Sequence, residues 1–143
     1  MTYKREESLG YLVNWAGRLL ARAIERRLAG GNAGPMPVFF ALSQQAAMTQ
    51  KALAQWAAVE QPTMAKTLAR MERDGLITRA PDPADRRSMR ISLSPLGRER
   101  AAEAMVAARE VNALAFSALA AEERPVFLAM LHKMIARLDG DAA

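Results

Sequence analysis

The fold is decided by residues 49–93, which read TQKALAQWAAVEQPTMAKTLARMERDGLITRAPDPADRRSMRISL. Thr49 precedes an apolar periodic run, and its side-chain oxygen can accept a hydrogen bond from the first N–H groups of a helix. The inward face of this helix is formed by Leu53, Ala57 and Val59. The stretch therefore begins with a short amphipathic helix.

A second helix is predicted between a turn at residues 60–62 and Gly75. Pro62 suits the first turn, where its missing N–H would have no partner, and Gly75 suits the left-handed position after a helix end. One apolar stripe is formed by Met64, Leu68 and Met71. The opposite face carries short polar or cationic side chains suited to phosphates and base edges: Gln61, Thr63, Lys66, Thr67, Arg70 and Arg73.

From Leu76 onward the apolar period changes to two, which predicts two β-strands. The segment between them, residues 81–88, contains two prolines and two aspartates and is predicted to be a turn. Arg86 and Arg87 lie at its tip, and such a pair can enter a narrow minor groove, where the negative potential is enhanced. Two helices followed by a basic hairpin are the plan of a winged helix-turn-helix.

Residues 53–97 resemble the MarR family of bacterial transcriptional regulators. The resembling features are a Leu-Ala helix, a helix ending in Glu-Arg-Asp-Gly-Leu, a Pro-Asp-Pro-x-Asp-Arg-Arg wing and a Leu-Ser-x-x-Gly start of the next helix. The resemblance implies that Arg87 enters the minor groove, steadied by Asp85. It implies major-groove contacts for Gln61, Thr63, Lys66 and Arg70. Pro62 and Ala65 depart from the pattern, because the family usually has small hydroxyl residues there.

The flanking segments predict three long helices. Residues 8–28 carry an apolar stripe, Ser94-Pro95 opens a helix that runs to about Leu119, and Pro125 lies in the first turn of the last helix. These stripes are too long for one compact winged core to cover. A two-fold dimer of both chain ends would bury them and would place two recognition helices ~34 Å apart for a palindromic site. A monomer whose terminal helices pack on each other is the alternative.

We therefore expect a mainly α fold with a small β-hairpin wing. The expected division is a helical dimerisation region at residues 1–31 and 101–143 and a winged helix-turn-helix DNA-binding region at residues 35–100.

Composition and charge fit this interpretation. The 143-residue chain is 51% hydrophobic and 24% charged, as is ordinary for a soluble domain. It has no cysteine, which excludes disulfides and thiolate metal sites. No apolar run approaches the ~18 residues of a membrane span, so a cytoplasmic protein is expected. The net charge is +5, of which residues 49–100 contribute +4 and residues 101–143 contribute −2.

The DNA-binding candidates lie at three places. The N-terminus of the helix that follows Thr49 can bind a phosphate through its N–H groups, although Thr49 could simply cap that helix. A solvated basic surface is the alternative for the cations. The predicted set comprises Thr49, Gln50, Lys51, Gln61, Thr63, Lys66, Thr67, Arg70, Asp85, Arg86 and Arg87. Arg79 and Arg90, on the wing strands, are weaker candidates.

The resemblance also implies a small aromatic or phenolic effector held between the dimer helices and the winged domain. By that analogy the pocket would be lined by Trp15, Arg18, Met36, Phe39 and Phe40, with Arg18 facing an acidic group. The alternative for each is ordinary core packing. Trp56 has no assigned role.

Catalytic and cofactor sites are not indicated. His132 is the sole histidine and has no acidic cluster at ligand spacing, and the serines lack a nucleophile motif. We therefore expect no enzyme activity, metal or cofactor, and we expect the protein to act as a dimeric repressor released by a small molecule. Two rival functions stay open: a winged-helix module that binds protein without DNA affinity, and a small-molecule-binding protein.

Overall fold

A computed structural model describes residues 3–141 of the chain, which form six α-helices and three strands. In chain order these are α1 (Leu9–Glu25), α2 (Met36–Gln44), β1 (Met48–Thr49), α3 (Gln50–Ala57), α4 (Gln61–Arg73), β2 (Ile77–Pro81), β3 (Met89–Leu93), α5 (Pro95–Phe116) and α6 (Glu123–Asp141). The predicted fold class, mainly α with a small β wing, is confirmed. None of the described helices is both long and apolar enough to cross a bilayer.

The described chain divides into two compact units, and the boundary lies inside α5 between Ala108 and Arg109. The core of the first unit is built from α2, α3, α4, the sheet and the first turns of α5. The first turns of α5 contribute Ala101, Ala104 and Ala108 to this core. The predicted division into terminal and winged regions stays a prediction, and residues 1–2 and 142–143 of its terminal ranges lie outside the described part.

The pair α3 and α4 forms as the sequence predicts. Thr49 Oγ1 accepts a hydrogen bond from the Ala52 N–H at 3.1 Å and caps α3. The helix ends at Ala58, a left-handed residue with φ of 55°. Pro62 lies in the first turn of α4. The predicted apolar stripe of α4 is buried in the core.

The end of α4 is a complete Schellman motif. The Gly75 N–H donates to the Glu72 carbonyl at 3.0 Å, and the Leu76 N–H donates to the Met71 carbonyl at 2.8 Å. Gly75 has φ of 74°, a conformation that glycine adopts without a Cβ penalty. Two helix-end carbonyls are thereby satisfied, and the chain leaves directly into β2.

The wing is a β-hairpin in an antiparallel three-stranded sheet of order β1-β3-β2. Ile77 pairs with Leu93 and Pro81 pairs with Met89 at the two ends of the hairpin. The short strand β1 completes the sheet, and its Met48 pairs with Ile91. The register turns Ile77, Ile91 and Leu93 into the core.

Two helices end earlier than predicted. α1 stops at Glu25 instead of Leu28, and α5 stops at Phe116 instead of about Leu119. In both places the chain continues in tighter turns, in which an N–H donates to the carbonyl three residues before it. The Ala120 N–H then donates to Glu123 Oε1 at 2.8 Å, at the start of α6.

Apolar side chains remain exposed on the helices at both ends of the described chain. On α1 they include Leu9, Leu12, Val13, Leu19 and Leu20, and on α6 they include Val126, Phe127, Leu128, Met130, Ile135 and Leu138. Single exposed apolar side chains are normal, whereas continuous rows of them mark an interaction surface.

Gly97 allows α5 to lie directly against the carbonyl of Leu76. A Cβ at this position would lie 1.9 Å from the Leu76 oxygen, a backbone atom that cannot rotate away. We predict that Gly97→Ala lowers the free energy of unfolding by about 2 kcal/mol or more, in the range of other overpacking substitutions. Urea denaturation followed by circular dichroism measures this change.

The matched control is Gly140→Ala in α6, where a new Cβ meets nothing within 4 Å. That variant should unfold at or above the wild-type denaturant midpoint, because alanine is the better helix former. A Gly97→Ala protein as stable as the wild type would show that the close approach is not a constraint.

Candidate nucleic-acid interface

The polar face of α4 is presented to solvent. Met64, Leu68 and Met71 hold the opposite stripe in the core, so the helix cannot rotate this face inward. The predicted contact residues Gln61, Thr63, Lys66 and Arg70 are all exposed. Thr67 is half-buried, and its hydroxyl donates to the Thr63 carbonyl at 3.2 Å. The donor of Thr67 is thus already used within the helix, whereas its oxygen can still accept.

Part of this face borders a shallow cleft of about 160 Å³. Its α4 side is formed by Thr63, Lys66, Thr67 and Arg70, and its other side is formed by Gly34 and Pro35, just before α2. Gly34 is not among the residues that the sequence pattern assigns to this face. No local pattern could have placed it there, because Gly34 and the α4 residues lie far apart in the chain.

The start of α3 carries the second group of candidates. Thr49 caps the helix, Gln50 is half-buried and Lys51 is exposed. The capping alternative for Thr49 is therefore correct, and it does not exclude a contact with phosphate. The N-terminal dipole of α3 and the Lys51 ammonium both favour an anion at this point.

The wing tip is ordered by its two aspartates. Asp82 Oδ1 accepts from the Ala84 N–H at 3.0 Å, and Asp85 Oδ1 accepts from the Arg87 N–H at 3.0 Å. The loop is closed by the Asp82 N–H, which donates to the Ser88 carbonyl at 3.0 Å. These are the side-chain turns that Asp commonly makes. They fix the backbone from which the two tip arginines project.

The arginines of the wing fall into two groups. Arg79 Nε donates to Glu72 Oε2 at 2.7 Å, and an Arg90 Nη donates to the Ala47 carbonyl at 3.1 Å. Arg86 is exposed, and the Arg87 side chain is 95% exposed with only a 3.8 Å approach from Asp85 Oδ1 to its Nε. The strand arginines are thus held within the fold, whereas the tip arginines keep their charges toward solvent.

The pair of Arg79 and Glu72 also joins the wing to the last turn of α4. An ion pair of this exposure contributes little stability, about 1 kcal/mol or less. Its position is specific, because it links the last turn of α4 to β2 across the connecting turn. The helix α4 and the wing strands share one hydrophobic core. The cationic face of α4 and the cationic wing tip can therefore contact one polyanion at the same time.

The five predicted effector residues do not gather around one cavity. Met36 and Phe39 are buried in the core, and Phe40 packs against it. Trp15 and Arg18 are exposed on α1, with the Trp15 ring 6.2 Å from the Tyr11 ring and 5.3 Å from the Arg5 guanidinium. Of the five, only Phe39 borders the cavity of about 290 Å³ in the first unit. Their role as effector ligands stays a prediction.

That cavity is also lined by residues that sequence reasoning missed. Leu96, Arg100 and Glu103 line its α5 side, and their spacing of i, i+4 and i+7 puts them on one helical face. A helical projection of α5 could have grouped these three side chains. It could not have shown that the α4 end and residues 28–39 lie opposite them.

The arrangement of α3, α4 and wing matches known regulators. Residues 37–89 match the model of the MarR family. The transcriptional regulator HosA of Escherichia coli O111:H- is 33% identical over 98 residues, which cover 68% of this chain and 73% of HosA. The transcriptional repressor NicR of Pseudomonas putida is 32% identical over 95 residues, covering 66% of this chain and 60% of NicR.

A solved structure extends the match to nearly the whole chain. This structure is that of BpsR from Bordetella bronchiseptica, a protein whose DNA binding is regulated by 6-hydroxynicotinic acid. The two structures superpose with a TM-score of 0.82 at 26% identity, covering 94% of this chain and 97% of BpsR. HosA is a transcriptional regulator and NicR a transcriptional repressor, and neither is an enzyme. The chain belongs to the MarR family of transcriptional regulators.

Proposed function

We propose that the protein is a homodimeric repressor that binds a palindromic operator and is released from it by a small-molecule effector. The observation that carries the proposal is the exposure of two cationic elements, the polar face of α4 and the wing tip, on one core. A helix and a projecting arginine pair match the adjacent major and minor grooves of one duplex. Because the target is the chromosome, we expect the protein in the cytoplasm.

The proposed DNA contacts divide by chemistry. Gln61, Thr63, Lys66 and Arg70 would meet base edges and phosphates in the major groove, and Thr67 would accept a hydrogen bond there. Arg86 and Arg87 would enter the minor groove, with Asp85 holding the Arg87 backbone. The α3 start, Thr49, Gln50 and Lys51, would bind a flanking phosphate.

The dimer is proposed from the exposed apolar rows of α1 and α6. Burial of apolar area is the main favourable term in association, at ~25 cal/mol per Å². A two-fold axis would repeat the two cationic elements about one DNA turn away, ~34 Å, which suits a palindrome. The recognition helices of both subunits must then match the spacing of the grooves at the same time. A ligand that changes the distance between these two helices would therefore release the DNA.

The relatives support an effector-controlled repressor. NicR is named a repressor, and DNA binding by BpsR is regulated by 6-hydroxynicotinic acid. By analogy we propose a small aromatic or phenolic effector for this chain. The candidate effector-binding residues are Trp15, Arg18, Met36, Phe39 and Phe40.

A winged-helix protein-binding module is the first alternative function, and it predicts no retarded DNA duplex in a gel. The second alternative, a small-molecule-binding protein, predicts ligand affinity without DNA affinity. Selection of bound duplexes from a random pool tests all three. Recovery of a palindrome supports the operator-binding repressor and gives the half-site spacing.

Arg87→Ala removes a charge that has no strong partner in the described chain, so the fold should be unaffected. We predict that affinity for the selected duplex falls roughly 10- to 100-fold, since both wings of a dimer lose a groove contact. Fluorescence anisotropy measures the affinity, and the thermal midpoint should match the wild type. Arg124→Ala, an exposed arginine at the start of α6, is the control and should bind as the wild type does. Equal affinity of the Arg87→Ala protein would refute the assignment of the wing.

Lys66→Gln removes one cation per subunit from the α4 face. If each Lys66 neutralises one phosphate, the slope of log affinity against log salt should become less steep by about 1.8 for the dimer. Binding isotherms between low and moderate salt measure both slopes. An unchanged slope would place Lys66 away from the phosphates.

Ile135→Arg tests the dimer, because Ile135 is 59% exposed on α6. A guanidinium in an apolar interface pays a desolvation cost, so we predict monomers at micromolar concentration and weaker duplex binding. Light scattering measures the molar mass in solution, which should be twice the protomer mass of 15.6 kDa for the wild type and equal to it for the variant. Lys133→Ala, on the other side of the same helix, should leave the mass unchanged. A monomeric wild type would contradict the proposed dimer.

A further inference from the structure

The outer half of the wing extends beyond the hydrophobic core. The base of the hairpin is buried at Ile77, Ile91 and Leu93, whereas Pro81 and Met89, the last pair of the ladder, are both exposed. A two-stranded ribbon that is not packed on a core is only marginally ordered by itself. The direction of the wing tip therefore depends on contacts made where the ribbon leaves the core.

Two arginines make such contacts, one on each strand. Arg79 of β2 donates through Nε to Glu72 Oε2 at 2.7 Å, and Arg90 of β3 donates through an Nη to the Ala47 carbonyl at 3.1 Å. The two arginines occupy neighbouring positions of the ladder. Each strand is thus joined to a segment outside the hairpin at the same level of the wing.

The contact made by Arg79 is the one that reaches α4. The backbone of Glu72 is held in the helix-ending motif, because its carbonyl accepts from the Gly75 N–H at 3.0 Å. The Arg79 side chain is only 26% exposed, so most of its aliphatic stem is covered by the fold. Both ends of the ion pair are therefore held in place, and the pair connects α4 to β2 outside the core.

We propose that Arg79 and Glu72 are positioning residues for DNA binding, because their ion pair fixes the direction of the wing relative to α4. At ~3.3 Å per residue, the arginines of the tip lie about 10–15 Å beyond the pair. A tilt of about 15° at the pair would displace them by ~3–4 Å, which is more than half the width of a minor groove of ~6 Å. The use of this direction in DNA binding rests on the proposed function, whereas the direction itself does not.

Glu72→Gln separates this role from a general effect of charge. The substitution removes a negative charge from the winged unit, so charge alone predicts tighter binding to a polyanion. Loss of the ion pair predicts the opposite, an affinity for the selected duplex that is about fivefold weaker. Fluorescence anisotropy measures the affinity. The matched control is Glu60→Gln, at the start of the same helix, where the carboxylate makes no capping hydrogen bond. This control should bind at least as tightly as the wild type.

Two double variants test whether the effect acts through the wing. Glu72→Arg combined with Arg79→Glu keeps the net charge and restores an ion pair, so its affinity should return to within about twofold of the wild type. In an Arg87→Ala background, Glu72→Gln should lower the affinity by less than about twofold, because the tip no longer engages its groove. A reversed pair without rescue, or a full fivefold loss in the Arg87→Ala background, would contradict the proposal.

The direction of the wing can be measured without DNA by residual dipolar couplings of the backbone amides. In the wild type, we expect the amides of β2 and β3 to fit the same alignment tensor as those of α4. In Glu72→Gln, we expect the couplings near the tip to depart from that tensor. Unchanged couplings in this variant would overturn the proposal, as would an affinity equal to or above that of the wild type. Failure of the wild type to bind any duplex would refute the proposed function, and the couplings would still decide whether the ion pair fixes the wing.

Discussion

The joint at the Leu76 carbonyl determines the geometry on which the functional surface depends. This oxygen accepts from the Ser94 N–H at 2.9 Å, and the Ser94 hydroxyl donates to the neighbouring Gly75 carbonyl at 2.6 Å. Gly97 leaves the space in which α5 can approach this backbone. Since α4 ends just before the joint, and β2 and α5 begin beside it, one set of hydrogen bonds orients helix, wing and α5 together.

The wing arginines differ in their partners within the fold. Arg79 is held by Glu72 and Arg90 by the Ala47 carbonyl, so both act within the fold. Arg86 and Arg87 project from a loop closed by aspartates. A count of charges treats these four arginines alike, whereas only the last two keep their side chains directed toward solvent.

The long helices differ in how they use their apolar side chains: α5 buries small ones in the winged core, whereas α1 and α6 expose large ones. Ala101, Ala104 and Ala108 let the first turns of α5 pack closely into the winged core. The apolar rows of α1 and α6 stay exposed in a single chain. The core of the winged unit is thus buried within a single chain, whereas apolar side chains of α1 and α6 are exposed to solvent. Their burial against a second copy of the chain is the basis for the proposed dimer.

Local sequence determined the elements themselves. The Thr49 cap, the proline in the first turn of α4, the glycine after it and the wing strands each depend on neighbours within a few residues, so their patterns were predictive. Tertiary structure alone decided which groups come together across the fold. Glu72 pairs with Arg79, Arg90 donates to a carbonyl 43 residues earlier, and Arg100 and Phe39 line the same cavity. Periodicity tells which face of a helix is apolar but not which distant segment covers it. The cleft beside α4 and the cavity around Arg100 therefore became visible only when the segments were packed together.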